Sequence, residues 1–363
     1  MNKLKKYKVC VYAICKNESK FIERWVESMK EADAIYVLDT GSSDNSLEKF
    51  KELGVNVKQE IIKPWRFDVA RNKSLELVPK DTDICVCTDL DEVFVPGWRA
   101  KLESIWNKNI DKVKYNYNWS FDEYGNPATT FFIGKIHRRN GYYWHHPVHE
   151  VLNSLPGEVE IIEPNITLNH YPDNEKSRSS YLPLLELSVE ENPDDDRNMH
   201  YLGREYMFYK EYEKSITTLL KHLSLPSAKW DAERCASMRF IARCYLNLNR
   251  PKEAEMWFKE AIKEASYLRE SYVELAQLYC DNKRYQEAYE LLTQAFLIKE
   301  KPPIYINEAF AWNDYIHELM GIVCYNLKLY PESLKHMQLA LELNPNCERI
   351  KDNFNLISKT LNN

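Results

Sequence analysis

Groups able to bind a metal or take a proton gather at a few points in the first half of the chain, each following a short apolar run. Asp39-Thr40-Gly41-Ser42-Ser43-Asp44-Asn45-Ser46 follows one such run, and Gly41 permits a tight turn there. Ser43 or Asp44 can cap a helix that starts beyond it. Asp89-Leu90-Asp91-Glu92 follows the apolar Ile84-Cys85-Val86-Cys87-Thr88. Carboxylates crowded at the end of a buried strand repel one another, and a divalent cation relieves that repulsion. Their hard oxygens suit Mg²⁺ or Mn²⁺. Asp89 and Asp91 point the same way if the strand continues. His145-His146-Pro147-Val148-His149-Glu150 is dense in titratable groups. His149 or Glu150 can serve as a general base, since either titrates near neutrality when partly buried. His170, after Ile166-Thr167-Leu168-Asn169, is a further candidate metal ligand.

The elements needed to position these groups can be read from periodicity. Strands are expected at Tyr7 to Ile14, Ala34 to Leu38, Val55 to Ile61 and Ile84 to Thr88. Helices are expected between them, at Glu18 to Lys30, Ser43 to Leu53 and Asp68 to Leu77. Strand and helix in strict turn predict βαβ units and a parallel sheet covered by helices. Ligands of such sheets sit beyond the carboxyl ends of the strands, where these polar clusters fall. Further strands at Val113 to Trp119, Thr129 to His137, Tyr142 to Val148 and Val159 to His170 are expected to extend the sheet, partly antiparallel.

From about Glu175 the pattern becomes helical and repetitive. Gly203, Ala242, Ala276 and Gly321 are each followed three or four residues later by a tyrosine: Tyr206, Tyr245, Tyr279 and Tyr325. Twelve residues after each small residue stands Ser215, Ala254, Ala288 or Ser333. Ala242 and Ala276 are 34 residues apart, which is the tetratricopeptide period. The spacings before and after, 39 and 45, call for inserted loops near Leu225-Pro226 and Lys301-Pro302-Pro303. The expected organisation is an α/β sheet domain over 1–175 and an all-α domain of about four repeats over 176–363.

The first domain resembles the inverting glycosyltransferases of sequence family 2, which have the nucleotide-diphospho-sugar transferase (GT-A) fold. The matching pieces run in order over roughly residues 5 to 170. They are the first strand ending in Lys16-Asn17-Glu18, then Asp39 to Ser46, Ala70-Arg71-Asn72, and Asp89-Leu90-Asp91-Glu92 followed by Pro96. Combined with tetratricopeptide repeats, the chain resembles a bacterial subgroup that includes enzymes glycosylating Cys or Ser of secreted antimicrobial peptides, the glycocins. Trp65, Phe67, Ala70-Arg71-Asn72, Val148-His149-Glu150 and His170-Tyr171 carry that part of the likeness.

The resemblance implies a division of roles. Asp39 and Ser42 lie in the signature that meets the nucleotide, with Asp39 on the base. Asn17 and Glu18 line the nucleoside pocket. Arg71 orients the nucleotide and the Asp89–Asp91 loop. Asp89 reaches the ribose or the metal, Asp91 holds Mn²⁺ or Mg²⁺, and His170 adds a ligand. Lys176 and Arg178 clamp the diphosphate. The family usually places an Asp base near the acceptor. This chain has no clear Glu-Asp motif, and His149-Glu150 is the nearest match.

The implied donor is a nucleotide sugar, UDP-hexose, and the implied acceptor a Ser, Thr or Cys side chain of a peptide or protein. A glycan or lipid-linked acceptor, or an inactive module that binds partners through the repeats, are the competing readings. The repeats are expected to hold an extended peptide or pair two copies of the chain. A net charge of −6 argues against a nucleic-acid backbone as the main partner. The apolar run near the start is short and no run has transmembrane length. The nine scattered Cys read as reduced thiols, so a cytoplasmic protein without integral membrane association is expected.

Overall fold

The computed structural model describes residues 7–122, 125–173 and 181–361. The chain divides into two compact units, Met1–Ser188 with Pro303–Tyr305, and Val189–Pro302 with Ile306–Asn363.

The first unit is built on β1 (Val9–Cys15), α1 (Ile22–Met29), β2 (Ala34–Asp39), α2 (Ser46–Glu52), β3 (Asn56–Gln59), α3 (Phe67–Glu76) and β4 (Ile84–Cys87). Then come β5 (Glu92–Phe94), α4 (Trp98–Ile105), β6 (Lys112–Phe121), β7 (Pro127–Arg138), β8 (Trp144–His145), β9 (Val151–Leu152) and β10 (Glu160–His170). The main sheet has the order β3-β2-β1-β4-β7-β6-β10-β5. Its β3-β2-β1-β4 half is parallel. β7 runs antiparallel to both β4 and β6, β10 runs parallel to β6, and β5 returns against β10. The carboxyl ends of β1, β2, β4, β6 and β10 therefore share one edge.

β1 is apolar at nearly every position because both its faces are covered. Alternate side chains point to opposite layers. Val9, Val11 and Ala13 pack with Trp25 and Met29 of α1, while Cys10 and Tyr12 pack with Leu75 of α3, Val78 and Trp144. The stretch Tyr142 to Val148 does not join this sheet. Only Trp144–His145 is extended, in a separate two-stranded ribbon with Val151–Leu152. Its aromatic composition favours a strand. Its edge is instead taken by Asn72 of α3, which donates to the Trp144 carbonyl at 2.7 Å and accepts the Trp144 N–H at 2.8 Å.

α5 (Tyr181–Glu191) runs across the division between the units. In the second unit helices come in pairs: α6 (Asp196–Phe208) with α7 (Tyr212–Ser224), α8 (Asp231–Asn247) with α9 (Pro251–Glu264), α10 (Arg269–Asp281) with α11 (Tyr285–Leu297), and α12 (Asp314–Asn326) with α13 (Tyr330–Leu343). α14 (Glu348–Leu361) follows and packs on α13. The small residues lie where paired helices touch. A Cβ on Gly203 would come within 2.5 Å of the Leu219 side chain, and one on Gly321 within 2.8 Å of Met337 Cε. Ser215 and Ser333 donate to the carbonyls of those glycines, each at 2.7 Å.

Each first helix ends the same way. Lys210, Asn249, Lys283 and Lys328 all have positive φ, between 56° and 63°, and each stands seven residues after its repeat's small residue. The next N–H closes onto the carbonyl of Tyr206, Tyr245, Tyr279 or Cys324 at 2.8–2.9 Å, which is the Schellman closure. In the fourth repeat Cys324, not Tyr325, occupies the tyrosine position. Most of the extra length near Leu225-Pro226 is not a loop. α8 begins at Asp231, eleven residues before Ala242, whereas α10 begins seven before Ala276, so an added helical turn absorbs the insertion. The second insertion is a strap, with Glu308 paired to Arg239 and Arg243 of α8 and its N–H donated to Glu270 of α10 at 3.1 Å.

Candidate functional site

The parallel register brings Cys15 beside Asp39 and Asp39 beside Gln59 at one edge. Asp39 is fully buried. Its Oδ1 accepts the N–H groups of Gly41 at 3.0 Å and Ser42 at 2.9 Å and the Gln59 amide at 2.8 Å. Its Oδ2 is buried without a hydrogen-bond partner. A buried carboxylate with one oxygen locked and the other unsatisfied is costly unless a ligand donor reaches it.

The loops after β1 and β2 are zipped together. Asn17 has a φ of 56°, and its side-chain oxygen accepts the Ser43 N–H at 2.7 Å. Ser42 Oγ accepts the Asn17 N–H at 2.8 Å, and Ser46 Oγ that of Glu18 at 3.2 Å. Asn17 and Ser42 thus spend these polar atoms on fixing the two loops to each other. Glu18 is buried beside them.

Arg71 is the hub beneath Asp89. It is buried on α3 and donates from Nη2 to Asp89 Oδ1 at 2.8 Å, from Nη1 to Cys87 Sγ at 3.4 Å, and from Nε to Glu150. The neighbours in Ala70-Arg71-Asn72 have separate tasks: Ala70 packs with Leu38 of β2, and Asn72 holds β8. The turn from β8 to β9, with positive φ at His146 and His149, delivers Glu150 to Arg71. A proton taken by Glu150 would weaken that ion pair. His149 lies edge-on to Tyr181, 5.7 Å between ring centres.

Lys135 of β7 carries no signal in the sequence but reaches the site. Its ammonium lies 3.0 Å from Asp89 Oδ2 and 3.1 Å from Glu92 Oε1. Glu92 also accepts the Tyr117 hydroxyl and the Asp89 N–H, both at 2.8 Å. Burial opposes ionisation of Asp89, but Arg71 and then Lys135 overcome it and hold its carboxyl well below the usual range. Burial pushes the Glu92 carboxyl up, and Lys135 counters only part of that. Both Asp89 oxygens are bound by cations. These two ion pairs fix the carboxylate in place.

Asp91 and His170 form a second pair, with His170 Nε2 3.4 Å from Asp91 Oδ2. His170 Nδ1 donates to the Trp119 carbonyl at 3.0 Å, and the ring stacks on Trp119 at 4.4 Å. In the neutral ring this leaves the Nε2 lone pair facing a carboxylate, an arrangement relieved by a proton or by a metal ion. Burial lowers the His170 pKa, but the Asp91 hydrogen bond and charge outweigh it and raise it overall. A histidine anchored through its other nitrogen to a backbone carbonyl, beside a carboxylate, fits a divalent cation. Lys176 and Arg178 lie outside the described residues.

The arrangement offers a buried acceptor at Asp39, an oriented carboxylate at Asp89 and a carboxylate–imidazole pair at Asp91 and His170, all on one sheet edge. Residues 10–151 match the glycosyl transferase family 2 model, and residues 240–266 match a tetratricopeptide repeat. An uncharacterized glycosyltransferase of Rickettsia bellii (strain RML369-C) is 31% identical over 114 residues, covering 31% of this chain and 37% of the relative's length. Solved structures similar to the chain include MamA, at 16% identity and a TM-score of 0.36, covering 46% of this chain and 82% of MamA. YrrB, titled a TPR protein with an unusual peptide-binding site, has 17% identity and a TM-score of 0.40, covering 49% of this chain and 84% of YrrB. Likeness at that level bears on neither ligand nor partner. Among the described residues, no helix is long and apolar enough to cross a membrane. The sheet domain thus matches glycosyl transferase family 2 over residues 10–151, and the helical half matches a tetratricopeptide repeat over residues 240–266.

Proposed function

We propose that the chain is an inverting, metal-dependent glycosyltransferase that moves a hexose from a UDP-type donor to a Ser, Thr or Cys side chain of a peptide or protein. The observation that carries the reading is the alignment of Asp39, Asp89 and the Asp91–His170 pair along the carboxyl edge of a family 2 domain. Asp39 Oδ2, buried and unsatisfied, suits the imide N–H of a uracil ring. Arg71 and Lys135 keep Asp89 ionised and fixed, so that its remaining lone pairs can accept ribose hydroxyls. Mn²⁺ or Mg²⁺ held by Asp91 and His170 would neutralise charge gathering on the departing diphosphate. Lys176 and Arg178 are assigned to the same diphosphate from the sequence.

Displacement at the anomeric carbon also needs the acceptor proton removed. Glu150 is engaged by Arg71, which favours His149 as the proton acceptor. A Cys acceptor, with its lower pKa, needs less such help than a hydroxyl. The repeats are assigned to the polypeptide acceptor, because stacked helix pairs present long surfaces for extended chains. Incubating the chain with UDP-hexoses, Mn²⁺ and candidate peptides, with mass spectrometry as readout, tests the reading. A hexose added to a peptide, abolished by EDTA, supports it. Metal-independent transfer, or donor turnover onto glycans alone, overturns the metal or the peptide part respectively.

A further inference from the structure

The tightest set of metal-type ligands among the described residues lies in the helical unit. Asp196 is the first residue of α6, His222 lies in the last turn of α7, and Glu233 in the first turn of α8. One ligand atom from each falls within 4.8 Å of the others. Acidic groups at helix starts and a histidine at a helix end are ordinary helix-dipole placements. Two observations go beyond that.

The first is burial. His222 is wholly inaccessible and Glu233 nearly so, where surface charge placement gains nothing. The second is the His222 ring. Its Nδ1 lies 3.0 Å from Ser237 Oγ, and that same hydroxyl lies 2.7 Å from Nδ1 of the buried His200. One hydroxyl proton serves only one of the two rings, so the other ring donates. With Ser237 donating to His200, His222 Nδ1 carries the proton and its Nε2 is a bare lone pair. Nε2 is buried without a hydrogen-bond partner and lies 3.5 Å from Glu233 Oε1. That spacing is close to the ligand–ligand edge of a tetrahedron with metal–ligand bonds of about 2.1 Å. The second nitrogen of a metal-binding histidine is typically pinned by a hydrogen bond in this way.

We propose that Asp196, His222 and Glu233 bind a divalent transition-metal ion of the Zn²⁺ class. One imidazole and two carboxylates supply three ligands, and half-buried Asp196 leaves a side open for a water molecule as the fourth. Such an ion ties the start of α6, the end of α7 and the start of α8 together at one end of the first helical pair. It acts as a structural clamp, independent of the sheet domain's chemistry.

The test uses the full chain, stripped with chelator and titrated with ZnCl₂ by calorimetry, together with Asp91→Asn, Asp196→Asn and Glu233→Gln variants. Wild type and Asp91→Asn should share a Zn²⁺-binding event that raises the melting temperature. Asp196→Asn and Glu233→Gln should each weaken that event by more than about 100-fold, since a ligand matters more than the groups around it. Asp196 is partly exposed, so its amide variant keeps the test valid should Glu233→Gln not fold. Zinc binding unchanged in Asp196→Asn, or no zinc binding by the wild type, would overturn the assignment and leave His222 and Glu233 as a plain buried pair.

Discussion

Lys135 balances two carboxylates, and one of them, Glu92, is only 1% exposed. Lys135→Met should leave that charge buried without its cation and cost about 3 kcal/mol; a urea-unfolding loss below about 1 kcal/mol would contradict this. Arg71→Lys keeps the charge but cannot reach Glu150, Asp89 and Cys87 at once. We expect kcat for sugar transfer to drop about 100-fold from the misplaced Asp89 loop, with the circular dichroism spectrum retained. Undiminished turnover would remove Arg71 from the site. Asp39, Asp89 and Asp91 were legible because each follows an apolar strand within a few residues. Lys135 was not, because it sits in an alternating strand and meets its partners 43 and 46 residues away. Glu150 was visible as a titratable group, but its pairing with Arg71 depends on the ribbon turn, which no local pattern announces.

Among elements, the helical pairs were the clearest in the sequence. Their small residues recur at fixed spacing because two backbones must approach at those points. Gly203→Ala would drive a methyl into Leu219, so it should destabilise the chain by about 2 kcal/mol. A thermal shift under one degree would show that the α6–α7 contact is looser than described. Pro226 punctuates the sequence and so suggests a loop where α8 gains its extra turn, although the helix starts five residues later. Tyr142 to Val148 reads as a strand of the main sheet because Tyr142-Tyr143-Trp144 has strand composition, yet only Trp144–His145 is extended, in the β8–β9 ribbon. What decides its place is Asn72, far away in sequence. α4 carried too few periodic residues to be recognised at all.

At the scale of the molecule, several histidines are held neutral by full or partial burial. Burial pulls the pKa of His137 and His200 down to about 3 and those of His317 and His336 to about 4. Their folded values lie below the unfolded one, so the unfolded chain binds more protons in mild acid. The stability they contribute is complete above the ordinary histidine value and is lost as pH falls from there toward the folded values. Lowering the pH from about 7 to about 5 should cost about 2 kcal/mol for His200 alone, read as a falling urea midpoint. A midpoint flat across that range would contradict the buried neutral state.

The proposed activity requires a nucleotide and a cation to meet at the carboxyl edge of the sheet. Calorimetric titration of UDP into the chain, with Mn²⁺ and with EDTA, measures this most directly. We expect binding with Mn²⁺ that weakens at least tenfold in EDTA and in Asp91→Asn, and at least tenfold in Asp39→Asn. UDP binding unaffected by EDTA and by both substitutions, or no UDP binding at all, would contradict the account.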